Sequence, residues 1–298
     1  MSIKSTRLEV LKTYKLYIGG QFPRTESGRY YCPTNAKGEK IANVCLASRK
    51  DLRDAIGAAR TAFGGWSSRS AFNRGQILYR IAEMLEGRKQ QFLQELTAQG
   101  ISKATASKEI TLSVDRLIHY AGWCDKYQAL FSSVNPVASS HFNFSVPEPM
   151  GVTGIIAPSE NSLLGLVSLM APCIAGGNTC VIIASETMPM AAISFAEVLN
   201  SSDLPGGVVN ILSGKPAELL DWLSTHLDVN VIVSCDKDQT AWKQLQEKAA
   251  VNVKRSFNWS KKDLYSKEAQ SPYMIMDLQE IKTTWHPIQN IAGSGASY

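Results

Sequence analysis

Gly151-Val-Thr-Gly-Ile-Ile-Ala157 and Thr179-Cys-Val-Ile-Ile183 are short, almost uninterruptedly apolar runs, separated by a segment over 162–175 with helical character. Strands buried on both faces of a parallel sheet read this way, whereas antiparallel strands alternate. The same alternation continues downstream: a helix at 189–200, a strand at 207–212, a helix at 216–226, a strand at 229–233 and a helix at 237–250. Successive units of this length imply right-handed crossovers and a doubly wound α/β sheet. Such sheets bind ligands beyond the carboxyl ends of their strands. The candidate crevice therefore falls at Pro158-Ser-Glu-Asn161, Ala184-Ser-Glu186, Ser213-Gly-Lys215 and Ser234-Cys-Asp236. Neither G-x-G-x-x-G after a strand nor a P-loop is present, so the residues alone leave that crevice without a ligand.

Upstream, Lys15-Leu-Tyr-Ile18 reads as an edge strand followed by a Gly19-Gly20 turn. Ser48 and Asp51 resemble a capping box at the head of a helix whose small face is Ala55, Ala58, Ala59 and Ala62. Ile77, Leu78, Ile81, Ala82 and Leu85 follow at three-to-four spacing, with Phe92, Leu93 and Leu96 continuing the stripe; Val114, Leu117, Ile118, Ala121 and Cys124 mark a further helix. Phe142 to Val146 alternates as a half-buried strand does.

The 298 residues are 44% hydrophobic and 19% charged, the composition of a globular chain. The best apolar run, Leu163 to Ile174, is too short for a bilayer and contains Pro172. Met1-Ser-Ile-Lys-Ser5 lacks the apolar core of a secretory leader, so a cytoplasmic location is expected. Six scattered cysteines without a C-x-x-C pair argue for reduced, buried thiols and against zinc, and His119, His141, His226 and His286 lack the spacing of metal ligands. The net charge of +5 resides in residues 237–267, which hold eight Lys/Arg against three Asp/Glu. With Trp242, Phe257, Trp259 and Tyr265 alongside, this stretch admits a nucleic-acid interpretation. No nucleic-acid motif accompanies it, so a solvated helix followed by a docking segment is preferred.

Several of these segments resemble, in order and spacing, the cofactor-binding domain of the aldehyde dehydrogenase superfamily. Lys15-Leu-Tyr-Ile-Gly-Gly-Gln21 is similar to its N-terminal strand, Pro149-Met-Gly-Val-Thr-Gly-Ile-Ile156 to its "P-x-G-V-x-G-x-I" strand and Gly177-Asn-Thr179 to its "G-N-t" turn. Ser185-Glu-Thr-x-Pro189, Leu204-Pro-Gly-Gly-Val-Val-Asn210 and His226-x-Asp-Val229 match three further signatures, so the likeness extends over about residues 15–250.

The positions that carry this superfamily's chemistry are replaced. Its Pro-Trp-Asn, whose Asn donates to the oxyanion, falls on Pro158-Ser159-Glu160, and a carboxylate repels a developing oxyanion. The ribose-binding Lys falls on Ile183 while its partner Glu is retained as Glu186. The second glycine of a G-x-G falls on Pro216, and the Gly-Ser beneath the pyrophosphate falls on Asp236-Lys237. The general-base Glu and the nucleophilic Cys have no counterpart after Cys235, which itself aligns on the cofactor side of the cleft.

The resemblance thus implies a doubly wound parallel sheet with a small β bridging element and without a catalytic lobe, since 298 residues reach the C-terminal strand without supplying one. Residues 1–250 are expected to form the degenerate cofactor-binding domain, with a bridging strand at 139–146. Residues 251–298 would be a basic linker and a C-terminal bridging strand, Tyr273 to Trp285. Ser162-Leu-Leu-Gly-Leu-Val-Ser-Leu169 and Glu280-Ile-Lys-Thr-Thr-Trp-x-Pro287 resemble the second, non-catalytic module of family 16 aldehyde dehydrogenases. The implied role is a non-catalytic subunit that assembles with a complete aldehyde dehydrogenase or with itself. It has no catalytic and no metal-binding residues, and Ile156, Ala157, Pro158, Ser159 and Glu186 remain as vestigial cofactor contacts. NAD(P) binding is weakened on this basis; the alternatives are a residual NAD(P)-dependent aldehyde oxidoreductase or cofactor-binding protein, and a basic nucleic-acid binder.

Overall fold

The computed structural model describes residues 10–235 and 237–288; the Met1 to Ser5 start and Asp236, on which two expectations rest, lie outside them. Strands β1 (Thr13–Tyr14), β2 (Tyr30–Tyr31) and β3 (Asn43–Cys45) form a small sheet in the order β1-β3-β2. Between them, Tyr17 makes an antiparallel bridge to Ile211, so the Lys15 to Ile18 stretch touches the edge of the main sheet.

Helix α1 (Arg49–Ser67) opens on the expected capping box: Ser48 Oγ accepts from the Asp51 N–H, and the Asp51 carboxylate accepts from the Ser48 N–H. The long apolar stripe that follows is broken into α2 (Ala71–Gly87) and α3 (Lys89–Ala98). Gly87 is a poor helix former, and Arg88 leaves the helical region and bonds back three residues to Leu85 O, which turns the chain. Helices α4 (Lys103–Ala121) and α5 (Tyr127–Phe131) complete this half.

Next come β4 (Ser133–Asn135), β5 (His141–Pro149) and β6 (Val152–Ile156), then α6 (Ser162–Ala175), β7 (Thr179–Ile183), α7 (Met190–Asn200) and β8 (Val209–Leu212). Helix α8 (Pro216–Thr225), β9 (Val229–Ser234), α9 (Gln239–Ala250), β10 (Arg255–Asn258), a helical turn α10 (Tyr273–Met276) and β11 (Gln279–Pro287) end the described chain. The main sheet has the order β10-β9-β6-β7-β8 with every pairing parallel. Side chains of a strand alternate between faces, and β7 shows the result. Cys180 and Ile182 join one apolar core with α2, α4, α6 and α7, while Val181 and Ile183 join the other with α1 and α8. Both faces are covered, which is why these strands lack polar alternation.

Two expectations for the end of the chain are corrected. Arg255–Asn258, read as part of a linker, is the fifth strand of the sheet, paired in parallel with Val231–Ser234. Phe257 and Trp259, two apart, pack toward the main core, and this anchors the strand despite its basic flanks. The C-terminal strand starts at Gln279 because Pro272, with its fixed φ, starts a helical turn at Tyr273 instead. From there β11 pairs antiparallel with all of β5, from Gln279↔Pro149 to Pro287↔His141, and β4 adds a third strand that the sequence did not signal. Among the described residues no helix is long and apolar enough to cross a membrane.

Candidate functional site

Sheet order locates the crevice. From β6 the order runs one way through β7 and β8 and the other way through β9 and β10, so the topological switch lies beyond the carboxyl ends of β6 and β9. A crevice of about 150 Å³ opens there, lined by Ile156, Ala157, Pro158, Ser159, Glu160, Pro216, Cys235 and Lys237. Four of the five residues expected to contact a cofactor thus come together. Glu186 does not line the crevice: it sits half-buried on the next strand end, where its backbone oxygen accepts from Tyr31 OH at 3.2 Å. The two loops are nonetheless tied, since Ser185 Oγ donates to Ser159 O at 3.1 Å.

The mouth is an ion pair. Glu160 and Lys237 approach to 3.5 Å with side chains 80% and 77% exposed, a geometry that contributes little in water. Inside, Cys235 is 8% exposed, and burial pushes its thiol up to about 12, with Lys262 opposing the shift. Such a thiol stays protonated at neutral pH and is a poor nucleophile. Ile183, expected from the resemblance to fall on the superfamily's ribose Lys, is wholly buried in the second core. At the head of α9 the Asp238 carboxylate accepts from the N–H groups of Thr240 and Ala241 at 2.8 and 3.1 Å. Those donors are the ones an anion at this helix terminus would use.

The head of α6, which borders the same loop, is neutralised from within. Asn161 precedes the helix in the left-handed region (φ 56°), and Glu109 Oε1 accepts from the N–H groups of Leu163 and Leu164 at 2.8 and 3.0 Å. Glu109 is 1% exposed and Arg116, also on α4, is 2% exposed. Arg116 donates to Ser168 Oγ, Ala269 O and Leu264 O. These two buried charges were missed, although their spacing from Ser113 and Tyr120 at three or four residues places all four on the buried face of α4.

The retained motif residues hold the framework. Asn178 accepts from Gly151 N–H and donates to Leu278 O, stitching the start of β6 to the approach to β11. Asn210 accepts from Gly19 N–H and donates to Cys180 O and Gly207 O. A Cβ on Gly206 would lie 2.6 Å from Gly19 O, so that turn admits only glycine.

The basic stretch is largely engaged internally. Lys243 pairs with Glu247, Lys248 with Asp221 and Arg255 with Glu280, while Lys254 donates to His226 O. Trp259 is buried, and Trp242 packs against the second core. Among the described residues no three His, Cys, Asp or Glu side chains gather as a metal site would require.

Residues 23–258 match the sequence profile of the Aldehyde dehydrogenase family. The cytosolic 10-formyltetrahydrofolate dehydrogenase of Mus musculus is 32% identical over 255 residues, 84% of this chain but 28% of that protein. An NAD+ complex structure of aldehyde dehydrogenase from Bacillus cereus superposes with a TM-score of 0.78 at 25% identity, covering 82% of this chain and 50% of that one. The crystal structure of PnpE from Pseudomonas sp. WBC-3 gives a TM-score of 0.77 at 26% identity, covering 83% of this chain and 50% of its own. The chain therefore spans about half of the solved structures it resembles and less of its longer relative. With the parallel sheet and the framework asparagines in place, the profile match over most of its length establishes that this chain belongs to the aldehyde dehydrogenase family.

Proposed function

We propose that this chain acts as a non-catalytic aldehyde-dehydrogenase-like subunit that assembles with a complete aldehyde dehydrogenase or with a second copy of itself. The loop after β6 carries this reading. Where an amide donor would stabilise an oxyanion, Glu160 presents a carboxylate tied to Lys237, and a negative oxygen raises the energy of that intermediate. Cys235, the one thiol lining the crevice, is held protonated by burial. The surroundings also fit a nicotinamide dinucleotide poorly. Ile183 offers no donor to a ribose, Asp238 takes the N–H groups at the head of α9, and 150 Å³ falls below the roughly 300–1,000 Å³ of ordinary small-molecule sites.

Assembly draws on the sheet β11-β5-β4, one face of which exposes Val134 and Phe142 and the other Trp285. Unpaired strand edges with apolar side chains invite another chain. The rival reading, residual NAD(P) binding with or without aldehyde oxidation, rests on the retained Glu186.

A paired experiment separates them. Thermal unfolding with saturating NAD+, NADP+ and NADH is expected to show no shift, since a ligand at a hundred times its Kd would add about 2.7 kcal/mol, and added aldehyde is expected to give no NADH. Turnover would overturn the proposal. The full chain, purified from its own cells, is expected to bring down a dehydrogenase that has the nucleophilic Cys, or to sediment as an oligomer. A chain that stays monomeric and alone would remove the assembly half.

A further inference from the structure

Between β10 and α10 the chain crosses back over the head of α6. Trp259 starts the crossing, its N–H donating to Ser234 O at 2.8 Å. Leu264 and Ala269 are then buried against Leu164 in an apolar cluster separate from the two main cores. Tyr265 OH donates to Asn161 Oδ1 at 2.7 Å, and Asn161 ends the crevice loop. One turn into α6, Gly165 leaves no room for a Cβ, because Pro158 closes on it and Leu264 Cδ1 would stand 3.6 Å away. The crevice loop and the crossing segment therefore meet on the same glycine.

Arg116 fastens the segment. Its Nη1 donates to Ala269 O at 3.0 Å and to Ser168 Oγ at 2.8 Å, and its Nη2 donates to Leu264 O at 3.0 Å. A guanidinium taken out of water without a carboxylate among its hydrogen-bond partners is costly to keep. What it gains here is a grip on the carbonyls at both ends of the 264–269 turn, a fork that only arginine supplies. Tyr120 OH adds a bond to Ser271 O at 3.2 Å.

We propose that residues 260–271 form a strap, latched by Arg116 to α4 and by Tyr265 to Asn161, that holds the crevice loop 158–161 in place beside Cys235 and loosens together with that loop when the latch is released. The strap begins just after Trp259, whose N–H bonds Ser234 O next to Cys235, and its Tyr265 holds Asn161 next to Glu160, so it reaches two walls of the crevice without lining it. The crevice of about 150 Å³ is then the one framed by the latched loop, and access to Cys235 grows as the loop loosens.

The test compares wild type, Tyr265→Phe and Arg116→Lys by the rate of iodoacetamide labelling at Cys235, read peptide by peptide, together with amide hydrogen exchange. Cys180, fully buried under the sheet, is the internal reference for global unfolding. Tyr265→Phe removes one hydrogen bond and should speed Cys235 labelling about 3- to 10-fold, with parallel gains in exchange over 158–165 and 260–271. Arg116→Lys keeps the charge but loses the fork and should have the larger effect, while Cys180 labelling stays unchanged in both. The proposal fails if Cys235 labelling stays at the wild-type rate in either variant. It also fails if Cys180 accelerates alongside Cys235, or if exchange rises in the strap but not in 158–165.

Discussion

Glu109 does at the head of α6 what an external anion does elsewhere: it caps two N–H groups and faces the positive end of the helix. Burial nevertheless raises its carboxyl above the ordinary range, against the pull of those two bonds. For a group raised on folding, the stabilisation is complete below the usual carboxylate range and is lost as pH climbs through the folded-state value. Glu109→Gln keeps an acceptor for both N–H groups without the charge. In urea unfolding at acid and neutral pH, the variant should match or exceed wild type near pH 7 and decline less between the two. A neutral-pH loss of more than about 1 kcal/mol would show that the charge helps the helix more than its burial costs. Glu109→Ala, leaving both N–H groups unpaired, should cost about 1–3 kcal/mol at either pH. A division of labour runs through the family motifs as well. Asn178 and Asn210 spend their amides on backbone groups of neighbouring segments, whereas Glu160, Ile183 and Pro216, which the resemblance sets at cofactor or oxyanion positions, make no such framework bonds among those described.

At the scale of elements, Trp259 is the sharpest test of where the sheet ends. If 251–272 were a tether, Trp259→Ala would fall within about 0.5 kcal/mol of wild type, as surface changes do. Buried at the end of β10 and bonded to Ser234 O, it should instead cost about 3–5 kcal/mol in denaturant unfolding. Why β10 escaped the sequence while β7 did not is a matter of burial. Thr179 to Ile183 is covered on both faces and so is apolar throughout, but Arg255 to Asn258 is an edge strand with one solvent-facing arginine and two polar residues. Helix bounds were clear where caps are chemical, as at Ser48 and Asp51, and unclear at Arg88, where a turn forms without a proline. The crevice was legible because topology alone places it, and the bonds that hold its loop were not, because Leu264, Tyr265 and Arg116 meet it and one another over intervals no local pattern spans.

For the whole molecule, the proposed assembly turns on the sheet β11-β5-β4. On its inner face Asn135 Nδ2 donates to Asn143 and Ser145, and Ser145 bonds Thr283 at 2.8 Å, which locks the register. The other face offers Val134, Phe142 and Phe144. Val134→Lys with Phe142→Lys should weaken association with the proposed partner or with itself in sedimentation, while unfolding midpoints move little, since both side chains are already exposed. Equal association by the double variant would exclude this face.

The pairing of Ser145 with Thr283 joins residues 138 positions apart. A ribosome adding about 5–20 residues per second delivers β11 roughly 7–28 s after β5. Through that interval the nascent chain displays a nine-residue strand with no neighbour along the edge that β11 will cover. Among the sheets of the described residues this one is therefore the last to be completed during synthesis, and a chaperone that shields β5 until β11 has emerged would protect that edge from other chains.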